Sequence, residues 1–187
     1  MSGDVEPPWV PEVLDFWFRE VGEPRWFSAN DDIDEQVRRR FLPLHEKIVH
    51  RGGRGLCGVR ALLAAIVVLD QFSRNMFRDT PRAFAADPIA RRLADEVIAL
   101  GLDAVLAQVE RYFVYLPFEH SEDRDVQDIA VRLIEPLGDE SWTRYARAHQ
   151  QLIKRFGRFP HRNAILGRTS TSEEVQFLKE HTGFSQT

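Results

Sequence analysis

The chain has 187 residues, of which 43% are hydrophobic, and this length and composition predict one folded domain over residues 1–187 and exclude global disorder. Its formal net charge of −4 excludes nucleic acid as the main partner, because phosphate binding needs a basic face. Cys57 is the only cysteine, so neither an intrachain disulfide nor a multi-cysteine metal site is expected.

The start of the chain and its longest apolar run indicate where the protein resides. The first residues are acidic and proline-rich rather than basic and then apolar, so no signal peptide is predicted. The longest apolar run, Ala61 to Leu69, is too short to cross a bilayer. We therefore expect a cytoplasmic protein with no membrane partner.

Hydrophobic spacing predicts helices along the whole chain and no strand pair. Pro11 suits the first turn of the first helix. An apolar stripe that returns every three or four residues from Ile33 to Ile48 indicates a second helix. Because Pro43 lies inside that stripe, we expect the second helix to kink or divide near residues 39–43.

The third helix is predicted over Val59 to Asn75, and its character changes near its end. It is apolar on all sides from Ala61 to Leu69, which is typical of a buried central helix. Four polar residues then fall on one face, at i, i+3, i+4 and i+7: Gln71, Arg74, Asn75 and Arg78. We predict that these four residues bind a ligand. The alternative is that they cap the helix and pair locally, for example Asp70 with Arg74.

Five more helices follow, each with a start or stop signal of its own. They are a helix from Asp87, the N-cap, to Gly101, a helix over Leu106 to Leu116, a helix capped by Ser121 or Asp123, a helix from Asp139 to Gly157, and a short helix with a Thr171–Glu174 capping box. Seven or eight helices with short links predict an all-α fold of antiparallel helical hairpins, either stacked or packed as a compact bundle.

A second polar segment follows the aromatic helix that is expected to end before Pro117. Glu119 and His120 are predicted to transfer protons, because a carboxylate and an imidazole both serve as general acids and bases. Together with Glu122 they are also candidate metal ligands. The alternative is structural: Ser121 or Glu122 caps the next helix, and His120 bonds to the backbone.

The third polar segment is the loop Arg158–Asn163, in which aromatic and basic residues alternate. Its proline stiffens the loop, and we predict that it presents His161, Arg162 and Asn163 to a pocket. The alternative is that these side chains tie the loop to earlier helices through backbone carbonyls. The same alternation occurs in proteins that bind single-stranded nucleic acid, but the acidic total disfavours that function.

The remaining histidines give little support to a metal site. His149 lies within the apolar stripe of the seventh helix and is predicted to be a hydrogen-bonded core residue. A zinc site formed with His120 and His161 is disfavoured, because none of them has the i,i+4 spacing of the H-E-x-x-H motif, and we predict no metal. The other three histidines are predicted at the surface: His45, His50 and His181.

Several longer segments resemble a known family. They are Val13–Phe18, Leu69–Arg78, Arg82–Pro88, Tyr115–Asp123 and Arg155–Arg168. These motifs are similar to those of the bacterial "domain of unknown function 924" family, and the resemblance covers about residues 10–180. It implies an all-helical fold similar to degenerate tetratricopeptide-like arrays, and it implies no established reaction.

Two functions remain open at this point. In the first, a polar pocket binds a small anionic or carboxylate-bearing ligand, with or without catalysis. Its predicted ligand-binding residues are Gln71, Arg74, Asn75, Arg78, Arg162 and Asn163, and its predicted catalytic residues are Glu119, His120 and His161. In the second, a tetratricopeptide-like scaffold binds a protein or peptide, and the polar segments are internal supports. The first function requires the three polar segments to meet around one cavity. The sequence identifies no cofactor.

Overall fold

The structure, a computed structural model, describes residues 6–181, and the acidic first five residues lie outside that range. Its α-helices are α1 (Trp9–Asp15), α2 (Asp31–His50), α3 (Val59–Val67), α4 (Ser73–Met76), α5 (Asp87–Ala99), α6 (Gln108–Glu119), α7 (Arg124–Ile134), α8 (Glu140–Phe156) and α9 (Ser172–Glu180). The π-helical segment Val68–Phe72 joins α3 to α4 without a break, so the described chain forms eight helices and no strand. The predicted all-α class is confirmed. Among the described helices, none combines the length and the apolar composition needed to cross a membrane.

The described chain divides into two compact units. The first unit contains the residues up to Arg78 together with Arg82–Pro117. The second unit contains Asp79–Pro81 together with the residues from Phe118 onward. A single domain over residues 1–187 stays a prediction.

The core of the first unit forms around α3 and the π-helical segment that follows it. Every residue from Ala61 to Phe72 is buried, as the apolar run predicts. The Phe72 ring lies 4.8 Å from that of Phe41 and 5.8 Å from that of Phe16, centroid to centroid. These contacts pack α2 and the segment after α1 against the central helix.

Helix α2 continues through Pro43, so it does not divide there. The proline removes a backbone N–H and crowds the preceding turn, at a cost of about 3 kcal/mol. Ile33, Val37, Phe41 and Ile48 are buried along the same helix. Each buried side chain of this size contributes about 1.5–3 kcal/mol. Burial of the stripe therefore outweighs the penalty, and the helix stays intact.

In the second unit, α7 and α8 form an antiparallel hairpin. In the first half of α7, Asp128 accepts a hydrogen bond from Gln150 at 2.7 Å and pairs with Lys154 at 3.2 Å. Just after α7, Glu135 pairs with Arg147, in the middle of α8. Because early residues of α7 contact late residues of α8, the two helices run in opposite directions, as predicted for helical hairpins.

Helix α9 closes the second unit against the end of α8. Leu152, Ile153 and Phe177 pack together with Phe159 of the intervening loop. The predicted capping box of α9 is present, with Glu174 as its acidic member. Glu174 also accepts two hydrogen bonds from Arg158, at 2.7 and 2.8 Å, and these bonds lower its pKa to about 2. The loop is thus fixed at its start by a charged pair.

Candidate functional site

Arg74 is held by carboxylates within the first unit. Its two terminal nitrogens donate to the two oxygens of Asp87, at 3.0 and 3.1 Å. It also donates to the Asp70 backbone carbonyl at 2.6 Å and lies 3.3 Å from the Asp70 carboxylate, which is the predicted local pair. Burial alone lowers the pKa of Arg74, but the charges of Asp70 and Asp87 outweigh it and raise that pKa. Arg74 therefore stays charged in the interior of the unit.

The other three predicted ligand-binding residues of this segment also bond within the first unit. Asn75 donates to Asp34 at 2.7 Å, and Arg78 donates to both oxygens of the same carboxylate at 2.7 and 2.9 Å. Gln71 donates to the Asp70 carboxylate at 2.6 Å. The four residues thus form two groups of internal hydrogen bonds, one around Asp70 and Asp87 and one around Asp34. Their role toward a ligand stays a prediction.

The second unit buries a carboxylate at the end of α6, which continues past Pro117 instead of ending before it. Glu119 is only 2% exposed. One carboxylate oxygen, Oε1, lies 3.0 Å from Nδ1 of His149. Among the described residues, no group donates a hydrogen bond to the other oxygen, Oε2. A buried acceptor without a donor costs about 1–3 kcal/mol, and more when it is charged.

The proton position on His149 follows from its partners. Nδ1 lies 2.9 Å from the Tyr145 carbonyl oxygen and 3.0 Å from Glu119 Oε1. Both oxygens accept hydrogen bonds, so Nδ1 carries a proton and shares it between them. His149 is a hydrogen-bonded core residue, as predicted, but its pairing with Glu119 was not predicted.

The second and third polar segments come together around this pair. Arg162 donates to the His120 carbonyl oxygen at 3.1 Å, and its guanidinium lies 4.4 Å from the centre of the Phe159 ring. The His149 ring lies 5.3 Å from Phe159 and 6.4 Å from His120, between centroids. We call these five residues the Glu119 cluster: Glu119, His120, His149, Phe159 and Arg162. All five are at most 5% exposed.

His161 and Asn163 flank the cluster on the same loop. The His161 ring lies 5.5 Å from that of Phe159, centroid to centroid. Asn163 is fully buried and donates to Ser170 at 3.1 Å. This hydrogen bond joins the loop to the segment that precedes α9. The structure thus brings His161, Arg162 and Asn163 into the same unit as Glu119 and His120. An approach of all three polar segments to one cavity stays a prediction.

Glu122 supports the loop rather than capping α7. It accepts two hydrogen bonds from Arg168, at 2.7 and 2.9 Å, and one from the Phe159 backbone N–H at 2.8 Å. Burial raises the pKa of Glu122, but these hydrogen bonds outweigh it and lower the pKa. Asp123 is the residue that caps α7, which was one of the two predicted caps. The hydrogen bonds of Glu122 therefore fix the backbone of Phe159, a member of the cluster, in its place.

The described residues contain no group of three or more histidine, cysteine, aspartate or glutamate side chains that is arranged to hold a metal ion. Reasoning from the sequence missed the pair of Glu119 with His149, which joins the end of α6 to the middle of α8. No local spacing reveals such a pair. The one signal in the sequence was a titratable residue, His149, within an otherwise apolar stripe.

Comparison with known proteins yields a family and a related structure. The family model for bacterial proteins of unknown function, DUF924, matches residues 13–182. The chain is similar to the solved structure of a protein of unknown function from Agrobacterium tumefaciens, with 41% identity and a TM-score of 0.87, over 92% of this chain and 97% of that chain. No curated protein matches the chain. Both matches extend over nearly the whole sequence.

Proposed function

We propose that this chain, which belongs to the DUF924 family of bacterial proteins of unknown function, binds a small carboxylate at the Glu119 cluster. The ligand also carries a hydroxyl or ammonium group. The observation that carries the proposal is Glu119 Oε2, a buried carboxylate oxygen with no hydrogen-bond donor in the described chain. A ligand that donates to Oε2 removes the cost of burying it alone.

The charge of the cluster indicates the rest of the ligand. Arg162 is 4% exposed and carries a permanent positive charge. A guanidinium fixed in a desolvated site attracts a carboxylate more strongly than it does in water. Glu119, by contrast, repels anions and accepts hydrogen bonds from donors. The two charges together therefore favour a molecule with a donor at one end and a carboxylate at the other.

The same cluster is suited to proton transfer. Glu119 accepts a hydrogen bond from the proton on Nδ1 of His149. A carboxylate beside Nδ1 stabilises the imidazolium that forms when Nε2 takes a proton. His120 and His161 lie in the same group of rings and are the further candidates for this role. If the protein is an enzyme, we expect general acid–base chemistry on the donor group of the ligand.

The two polar networks support different roles. The first unit's residues Arg74, Asn75 and Arg78 bond to carboxylates of their own unit, as internal supports do. Glu119 Oε2 has no such bond. This difference favours a ligand site at the Glu119 cluster over a scaffold in which every polar segment is purely structural.

Calorimetric titration with malate and succinate tests the proposal, because the two dicarboxylates differ only in the malate hydroxyl. We expect malate to bind about ten- to a hundredfold more tightly, since a hydrogen bond to a charged group contributes about 1.5–3 kcal/mol. Glu119→Gln keeps the shape of the side chain and removes its charge, and it should abolish this preference. Glu173→Gln, at an exposed glutamate of the same unit, is the matched control. Equal binding of both acids, or binding of neither, contradicts the proposal.

A further inference from the structure

A further buried histidine lines a cavity in the first unit. His45, which was predicted at the surface, is only 5% exposed. It lines a cavity of about 340 Å³ together with Glu46, Val49, His50, Arg82, Ala85 and Ala86. Cavities of this volume are at the lower end of the range for small-molecule sites.

The hydrogen bonds of His45 fix which of its nitrogens is an acceptor. The Ser73 hydroxyl donates to the Leu69 carbonyl oxygen at 2.6 Å, so its single proton is already used. Ser73 Oγ lies 2.8 Å from His45 Nε2, and it must therefore accept a proton from Nε2. In the neutral ring this leaves a lone pair on Nδ1, and Nδ1 has no hydrogen-bond partner in the described chain.

Burial and a neighbouring positive charge keep this ring neutral at pH 7. Burial, together with the charge of Arg82, lowers the pKa of His45 to about 4, although Glu46 opposes the shift. The Phe77 ring packs against the imidazole, with centroids 5.3 Å apart. A neutral Nδ1 accepts a hydrogen bond but does not attract an anion.

We propose that this cavity binds a small, neutral, largely apolar molecule that donates a hydroxyl proton to Nδ1 of His45. Val49, Ala85 and Ala86 supply apolar walls for the body of the molecule. Glu46 and Arg82, two exposed lining residues, lie 3.5 Å apart and largely cancel each other's charge, which disfavours a charged ligand. A phenol or a short-chain alcohol has the required chemistry.

Phenol and anisole are suitable probes, because methylation removes the donor of phenol and leaves the ring. Titration of 15N-labelled protein should show a saturable shift of the His45 Nδ1 resonance with phenol. Binding of anisole should be about tenfold weaker, since the buried acceptor then stays without a donor. Equal affinities for the two probes, or no saturable shift with phenol, overturn the proposal.

Two alanine variants test the location of the site without removing His45. Ala85 is exposed and lines the cavity, so Ala85→Leu should fill the cavity while the protein still folds, and it should weaken phenol binding about tenfold or more. Ala99→Leu changes an exposed alanine of α5 that is not among the lining residues, and it should leave binding unchanged. If Ala85→Leu binds phenol as the unmodified protein does, the ligand is not in this cavity.

Discussion

Replacing Arg74 by alanine should destabilise the protein by about 3–5 kcal/mol, the cost of removing one partner from a buried charged group. Arg74 is shared by Asp70 and Asp87, and it is 14% exposed as a side chain. The loss of the Arg74 guanidinium leaves both carboxylates without this positive partner. The loss also removes the ion pair that joins the end of α4 to the start of α5. Urea denaturation followed by circular dichroism measures the change.

An exposed arginine provides the control for this experiment. Arg19 pairs with Asp15 at the surface, and its side chain is 81% exposed. Exposed ion pairs contribute about 0–1 kcal/mol, so Arg19→Ala should be nearly neutral. An Arg74→Ala protein as stable as the unmodified protein would contradict this expected cost.

Replacing His149 by leucine should also cost about 3–5 kcal/mol, because it leaves the Glu119 carboxylate buried without the hydrogen bond from His149 Nδ1. Glu119→Leu should cost less, since His149 keeps its hydrogen bond to the Tyr145 carbonyl oxygen. The double variant should then be more stable than the sum of the two single effects predicts, by about 1 kcal/mol or more. Additive effects would show that the two side chains are not coupled. Thermal and urea denaturation of the four proteins gives all the required values.

Short-range chemistry made most helix boundaries predictable from the sequence. Asn30 accepts a hydrogen bond from the Ile33 N–H, Asp139 caps α8, and Gly157 ends it in a left-handed conformation with φ of 71°. In each case a residue acts on neighbours within a few positions along the chain. Such signals need no knowledge of the tertiary structure.

Long-range pairing explains where the predictions fail. Asp87 was predicted as the N-cap of α5, but the cap is Ala86, and Arg74 binds the Asp87 carboxylate. His45 was placed at the surface, but it is buried against Ser73, which is 28 residues away along the chain. Local patterns do not encode such partners. The same limit applied to the candidate site, where Glu119, His120 and His161 were predicted as catalytic residues without His149.

The buried Glu119 Oε2 carries a free-energy cost, because no group of the described chain donates a hydrogen bond to it. A natural protein rarely leaves a buried charged oxygen without a donor unless the site has a function. In the same unit, Glu174 and Glu122 each accept hydrogen bonds at both carboxylate oxygens, from Arg158 and Arg168 respectively. Glu119 Oε2 differs from them, and that difference is the basis of the proposed function.

A crystal structure of the protein soaked in malate tests this central claim most directly. We predict an ordered malate whose hydroxyl oxygen lies within about 2.5–3.0 Å of Glu119 Oε2, and whose carboxylate lies toward Arg162. A structure in which Oε2 bonds to a protein side chain, with malate absent from the Glu119 cluster, would contradict it.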